Sequence, residues 1–197
     1  MQLNKVIFTF LTILGALLSK GHANEFFIEA RDSYFYPTNS TVREIYGGNG
    51  LYNLEFDAKI WHQLFLWSAI GIFQGSGTTL GSGDHTKLTF VPINIGLKAI
   101  FRPIDIVRPY LGLGPQLTYT QVKTHSNFLI QSNNSWDFGG IFKVGVLVNP
   151  TGSCLLDFFI DYQVQPVKFS QSSNPAVVID NTNLGGFSFG GAIGFEF

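Results

Sequence analysis

The sequence predicts an all-β fold: an eight-stranded antiparallel up-and-down transmembrane β-barrel. Three observations carry that prediction. Segments of about ten residues alternate apolar side chains with polar or very small ones, as strands of a membrane barrel do. The links between these segments alternate short and long. Composition agrees: charged residues make up 13% of the 197-residue chain and aromatic residues 15%, with twenty Phe, whereas a soluble domain carries about 25% charge.

Residues 1–23 read as a secretory signal peptide. Met1 to Lys5 is short and basic, Val6 to Leu18 is almost wholly apolar, and Gly21-His22-Ala23 is a small-x-small cleavage site. The apolar run is shorter than the roughly 20 residues a spanning helix needs. Glycines and charges interrupt every later apolar run, so a membrane would be crossed by strands closed on themselves. Residues 24–197 then form one barrel domain.

The strands follow in order. The first, Phe26–Tyr36, alternates except at Asp32, which interrupts its apolar face. In the second, Gly50–Trp61, Tyr52, Leu54, Phe56, Ala58 and Ile60 face one way and Asn53, Glu55, Asp57 and Lys59 the other. The third, Leu64–Gln74, is apolar on both faces apart from Ser68, and the fourth, Lys87–Phe101, slips in its alternation near Val91-Pro92. The fifth, Arg108–Gln121, sets Leu111, Leu113, Pro115, Leu117 and Tyr119 against Tyr110, Gly112, Gly114, Gln116 and Thr118. Ser135–Val148 sets Trp136, Phe138, Phe142 and Val144 against Asp137, Gly139, Lys143 and Gly145. Cys154–Phe169 sets Leu156, Phe158, Ile160 and Tyr162 against Asp157, Phe159, Asp161 and Gln163. The last, Gly185–Phe197, carries Phe187, Phe189, Ile193, Phe195 and Phe197 on one wall and mostly glycine, serine and alanine on the other. Small residues suit a crowded lumen and outward phenylalanines suit lipid. No window carries a sustained helical period.

The short links are His62-Gln63, Arg102–Ile106 and Asn149–Ser153; the long ones are Pro37–Asn49, Gly75–Thr86, Val122–Asn134 and Ser170–Leu184. In an even-stranded barrel alternate links share a side. Short turns and both termini are expected in the periplasm, and long loops outside the cell.

The polar faces contribute Glu29, Arg31, Glu55, Asp57, Lys59, Lys98, Asp137, Lys143, Asp157, Asp161 and Glu196, seven acids and four bases. The interior of eight strands is just wide enough for side chains to fill, and unpaired buried charge is costly. A plug of salt bridges is the expected outcome, with a cation-preferring ion path as the alternative. Without residues 1–23, ten basic residues face thirteen acidic ones, too close to neutral for a nucleic-acid partner. Cys154 is the single cysteine, which excludes an intramolecular disulfide and a cysteine metal cluster. No motif calls for a cofactor or metal. His125-Ser126, near Asp84 and His85, is the candidate for lipid hydrolysis, but adjacent strand residues point to opposite faces. No enzyme is expected.

Pro92 and Pro115 are expected to disturb the wall, because proline cannot donate to a ladder and a closed barrel has no edge to hide the defect. A turn centred near residues 104–105 would place Pro92 opposite Leu117 and Pro115 opposite Asn94, within one hairpin. The outcome would be a bulge or a lateral opening for a small apolar solute.

Tyr34-Phe35-Tyr36-Pro37, Arg43-Glu44-Ile45-Tyr46-Gly47-Gly48, Val91-Pro92-Ile93 with Gly96-Leu97-Lys98, Pro109-Tyr110-Leu111-Gly112-Leu113-Gly114 and the closing Gly190–Phe197 resemble small Gram-negative outer-membrane barrels of the OmpW-like and OmpA-like kind. The resemblance implies outer-membrane location, a role in envelope integrity or surface interaction, and small-solute passage. It implies contact with outer-membrane lipid and lipopolysaccharide, and insertion by the barrel insertion machinery through a signal that includes Phe195 and Phe197. A lipid-modifying outer-membrane enzyme and a secreted lipocalin-like binding barrel are the alternatives.

Deleting Phe197, or Phe197→Asp, is expected to slow assembly. Membrane yield and folding rate in a Gram-negative host check this; unchanged values would count against a terminal insertion signal.

Overall fold

The computed structural model describes residues 25–78, 84–102, 104, 106–125, 130–150, 152–167 and 182–197; the signal peptide read at residues 1–23 lies outside them. Eight strands close into an antiparallel barrel. They are β1 (Phe26–Pro37), β2 (Asn49–Trp61), β3 (Leu64–Thr78), β4 (His85–Ile100), β5 (Val107–His125), β6 (Ile130–Val148), β7 (Cys154–Val164) and β10 (Gly186–Glu196). A two-stranded ribbon, β8 (Pro166–Val167) with β9 (Thr182–Asn183), stands between the last two.

Register fixes the shape. Partners traced round the ring run Phe26, Ala58, Leu66, Leu97, Leu113, Phe142, Tyr162 and Phe187, and return to β1 at Tyr36, ten residues from the start. A stagger of that kind requires strands tilted by about 35–45° to the axis. Every residue on the path is apolar or aromatic. The outer wall continues in the same character, with Leu113 64% exposed and Phe138 74% exposed. Asp32 stands on this wall, between Tyr52 and Gly191.

The two ends of the barrel sheet lock together. Phe26 N–H donates to Phe197 O at 3.1 Å and Phe197 N–H to Phe26 O at 3.0 Å. The two rings stack with centroids 4.9 Å apart, a contact worth about 0.5–1.5 kcal/mol beyond its buried area. Phe195 and Phe197 both face outward.

Several details differ from the sequence reading. The link after β1 contains a helix, α1 (Ser40–Tyr46), capped by Asn39 Oδ1, which accepts from Val42 N–H at 3.1 Å, and ended by Gly47 at φ 66°. One helical turn or two is too short to leave a periodicity signal. β3 and β5 run further toward the long links than expected, and β6 starts earlier, because polar Ser, Thr and Gln continue the ladder beyond the apolar alternation. The register irregularity lies in β2 between Lys59 and Trp61, beside the tight turn at His62, whose φ is 40°.

At the prolines the expected slip and bulge are corrected. Phe90, Pro92 and Asn94 face inward and Val91, Ile93 and Ile95 outward without a break. Pro92 lies opposite Thr118, not Leu117. The ladder is interrupted on two different seams. Between β3 and β4 it stops at Ile70–Ile93 and resumes at Phe73–Phe90; between β4 and β5 it stops at Asn94–Gln116 and resumes at Leu97–Leu113. Each proline removes one donor across its own seam, Pro92 towards β3 and Pro115 towards β4, and the register is the same on both sides of each gap.

The outer wall of β5 makes a depth-dependent prediction. Leu113→Arg should destabilise by roughly 2–4 kcal/mol, and Gln121→Arg, near the long-link rim on the same wall, by about 0–1 kcal/mol. Denaturant titration of the folded barrel in lipid reads both, and a reversed ranking would contradict a lipid-facing wall.

Candidate functional site

The inward side chains stack in layers along every strand. On β1 the order is Phe27, Glu29, Arg31, Ser33 and Phe35; on β4, from the same end, Ile100, Lys98, Gly96, Asn94, Pro92 and Phe90. An apolar floor of Phe27, Phe65, Ile100, Tyr110, Leu147 and Leu155 closes the end with the short turns. Above it lies the charged layer.

Glu55 is the hub of that layer. Its Oε2 accepts from Arg31 Nη1 at 2.5 Å and from Lys143 Nζ, and its Oε1 accepts from Lys98 Nζ at 2.5 Å. Lys98 also donates to Asp57, and Arg31 Nη2 to Asp161 Oδ2 at 3.2 Å. Arg31 Nη2 lies 3.6 Å from Asp157 Oδ2, which accepts from the Tyr110 hydroxyl at 2.9 Å. The cations are further held over aromatic faces: Arg31 3.7 Å from the Phe159 centroid, Lys98 4.7 Å from Tyr110 and Lys143 4.3 Å from Trp67. Glu29 is fully buried, and neither of its carboxylate oxygens has a hydrogen-bond partner among the described residues.

Space for this layer comes from glycine. Trp67 lies opposite Gly96, and a Cβ at Gly96 would stand 2.8 Å from the indole nitrogen and 2.2 Å from Leu113 O. Any other residue would collide with the indole and the neighbouring backbone.

Nearer the long links, Gln116 Nε2 and Thr118 Oγ1 both donate to Gln165 Oε1, at 3.0 and 2.7 Å. Gln165 reaches this position where β7 ends, and Asn183 Oδ1 accepts from its backbone N–H at 2.9 Å. The end with the long links is apolar again: Phe35, Leu51, Phe73, Leu88 and Phe90 pack with Val42 of α1, with Val167 of the ribbon and with Leu184 beside it. Tyr46 of α1 bonds Thr86 through their hydroxyls at 3.1 Å. Burial pushes its pKa up, against the opposing effect of that bond.

Of the eleven expected interior charges, eight form the central layer: Glu29, Arg31, Glu55, Asp57, Lys98, Lys143, Asp157 and Asp161. Five are carboxylates and three are cations. Lys59 sits instead at the short-turn mouth, 3.0 Å from Glu25. Glu196 is at the same mouth and accepts from Arg108 at 2.8 Å and from Asn149 Nδ2 at 2.5 Å. Asp137 is on the half of β6 nearer the long links, where Ser135 donates to it at 2.6 Å. Sequence reasoning missed Glu25, Arg102 and Arg108 at the mouth, where Arg102 also pairs with Glu25. Arg108 shares the inward parity of Tyr110 and Gly112, which was the available signal. The side chains of His125 and Ser126 lie outside the described residues, and no group of three or more His, Cys, Asp or Glu that could hold a metal occurs among the described residues.

No protein-family model matches the sequence. No curated protein matches it either. Solved structures do match. The outer membrane protein OprG of Pseudomonas aeruginosa aligns at TM-score 0.63 and 14% identity over 88% of this chain and 95% of its own. Neisserial surface protein A aligns at 0.57 and 16% over 87% and 95%, and outer membrane protein W of E. coli at 0.56 and 18% over 88% and 97%. The chain has the fold of the small outer-membrane β-barrels. At these identities the likeness is one of architecture, and it agrees with the apolar outer wall and the full-length closure of an outer-membrane-type barrel.

Proposed function

We propose that this chain is a non-conducting outer-membrane barrel with a structural and surface-contact role in the Gram-negative envelope. Its termini and short turns face the periplasm and its long links face outward. The observation that carries the reading is the filled lumen. Two apolar layers and one charged layer occupy the cross-section, and the charged layer is tied to β1, β2, β4, β5, β6 and β7 at once. A filled lumen favours contact through the loops over ion passage, and the fold carries no catalytic group with it.

A second reading rests on a separate observation, the paired ladder gaps on either side of β4. A small apolar solute would leave the barrel sideways through the weakened wall at Pro92 and Pro115. The gaps support such a route only where the lumen beside them opens, which makes it secondary to the closed barrel.

Reconstitution in planar bilayers separates the two from an ion path. The folded protein is expected to give no conductance steps above baseline in concentrated KCl. Sustained steps would overturn the plugged reading. Recovery of the protein in a fraction other than the outer membrane would overturn the location.

A further inference from the structure

The outer wall changes character in discrete rows at the end with the long links. Val91, Tyr119 and Trp136 lie in one row across β4, β5 and β6, with the Tyr119 and Trp136 rings 5.1 Å apart. The next outward row is Gln74, Thr89, Gln121 and Asn134, all amide or hydroxyl. The row beyond places Ser76, Lys87 and Lys123 side by side, and the next sets Thr78 beside His85. Lys87 and Lys123 are directly opposite each other, both exposed and both outward. Like charges at such a position are destabilising, and neither lysine has an ion-pair partner among the described residues. Beside Lys87 the wall holds a hollow of about 340 Å³ lined by Ser76, Gly77, Thr78, His85, Thr86 and Lys87. Its outward polar side chains are the Ser76 and Thr78 hydroxyls, the His85 imidazole and the Lys87 ammonium, a donor set that suits phosphate oxygens and sugar hydroxyls.

We infer that Lys87 and Lys123, with the adjoining hollow beside Ser76, Thr78 and His85, bind the phosphorylated sugar headgroup of an outer-leaflet glycolipid. The inference rests on the outward orientation of the long links under the proposed function. Aromatic rings mark the apolar boundary of a membrane. Lys123 stands four residues beyond Tyr119, roughly 13 Å along the strand at about 3.3 Å per residue. A glycerophospholipid carries its phosphate close to the acyl boundary, whereas a phosphate on a sugar reaches further out. The intervening row of amides and hydroxyls lies where that sugar would be. One dianionic phosphate between the two ammonium groups would offset their repulsion.

The test uses the mature chain folded in micelles and titrated with bisphosphorylated lipid A, with heat-modifiability confirming that each variant is a folded barrel. Lys87→Gln with Lys123→Gln is expected to weaken binding roughly 25-fold, at about fivefold per lysine near an anionic lipid surface. Lys87→Arg with Lys123→Arg should restore it, and Lys59→Gln, a charge removed at the opposite mouth, should leave it unchanged. Equal affinity for the wild type and the Gln pair would overturn the inference. So would equal binding of phosphatidylglycerol or inorganic phosphate, because the site would then be a general anion patch. Membrane fractionation of the wild type reports separately on the outer-membrane reading, so a failure there is distinguishable from a failure of the lysine pair.

Discussion

Three cations converge on one carboxylate. Glu55 joins Arg31 of β1, Lys98 of β4 and Lys143 of β6, strands separated widely around the ring. Without it Lys143 would lose the carboxylate it pairs with, and Arg31 and Lys98 would keep only Asp157, Asp161 and Asp57. Taking charges out of water costs several kcal/mol per ion even after relaxation, and the layer is tolerable only because pairing and hydrogen bonds return most of that. The aromatic faces of Phe159, Tyr110 and Trp67 complete the solvation of the cations.

The same constraint selects the register. A strand slipped by one residue exchanges its two faces. In β2 such a slip would move Glu55 and Asp57 to the apolar wall and Leu54 and Phe56 into the charged layer. In β7 it would expose Asp157 and Asp161. Alternative pairings of these strands are therefore penalised by charge as well as by lost apolar burial, and the ring of partners from Phe26 to Tyr36 follows. The apolar layers above and below exclude water from the network, which strengthens the attraction within it.

Much of this was legible in the sequence because a strand's two-residue period assigns faces directly. The inward positions of Glu55, Lys98, Lys143 and Asp161 follow from their apolar neighbours, and the eight strands follow from the spacing of turn residues. Which charge meets which was not legible, since pairing across the lumen depends on stagger, and stagger depends on pairs such as Leu66–Leu97 that no local pattern encodes. Lys59 and Glu196 share the inward parity yet lie at the mouth, because parity gives a face and not a depth. Pro92 faces Thr118 and not Leu117 for a related reason: the observed register centres the hairpin on residue 105, half a residue beyond the centre that the turn residues suggest. The long-link ends of β5 and β6, beyond Gln121 and before Ser135, read as loop because Lys123 and Asn134 carry polar side chains on the outer wall, where it has left the apolar zone.

The central claim is that Glu55 holds the lumen together. It is tested most directly by the equilibrium unfolding free energy of Glu55→Gln, measured by denaturant titration in the same micelles or lipid as the wild type. Removing one partner of a buried ion network costs about 3–5 kcal/mol, and a loss of that size is expected. A loss below about 1 kcal/mol would contradict the account, because the three cations would then be satisfied without their shared carboxylate.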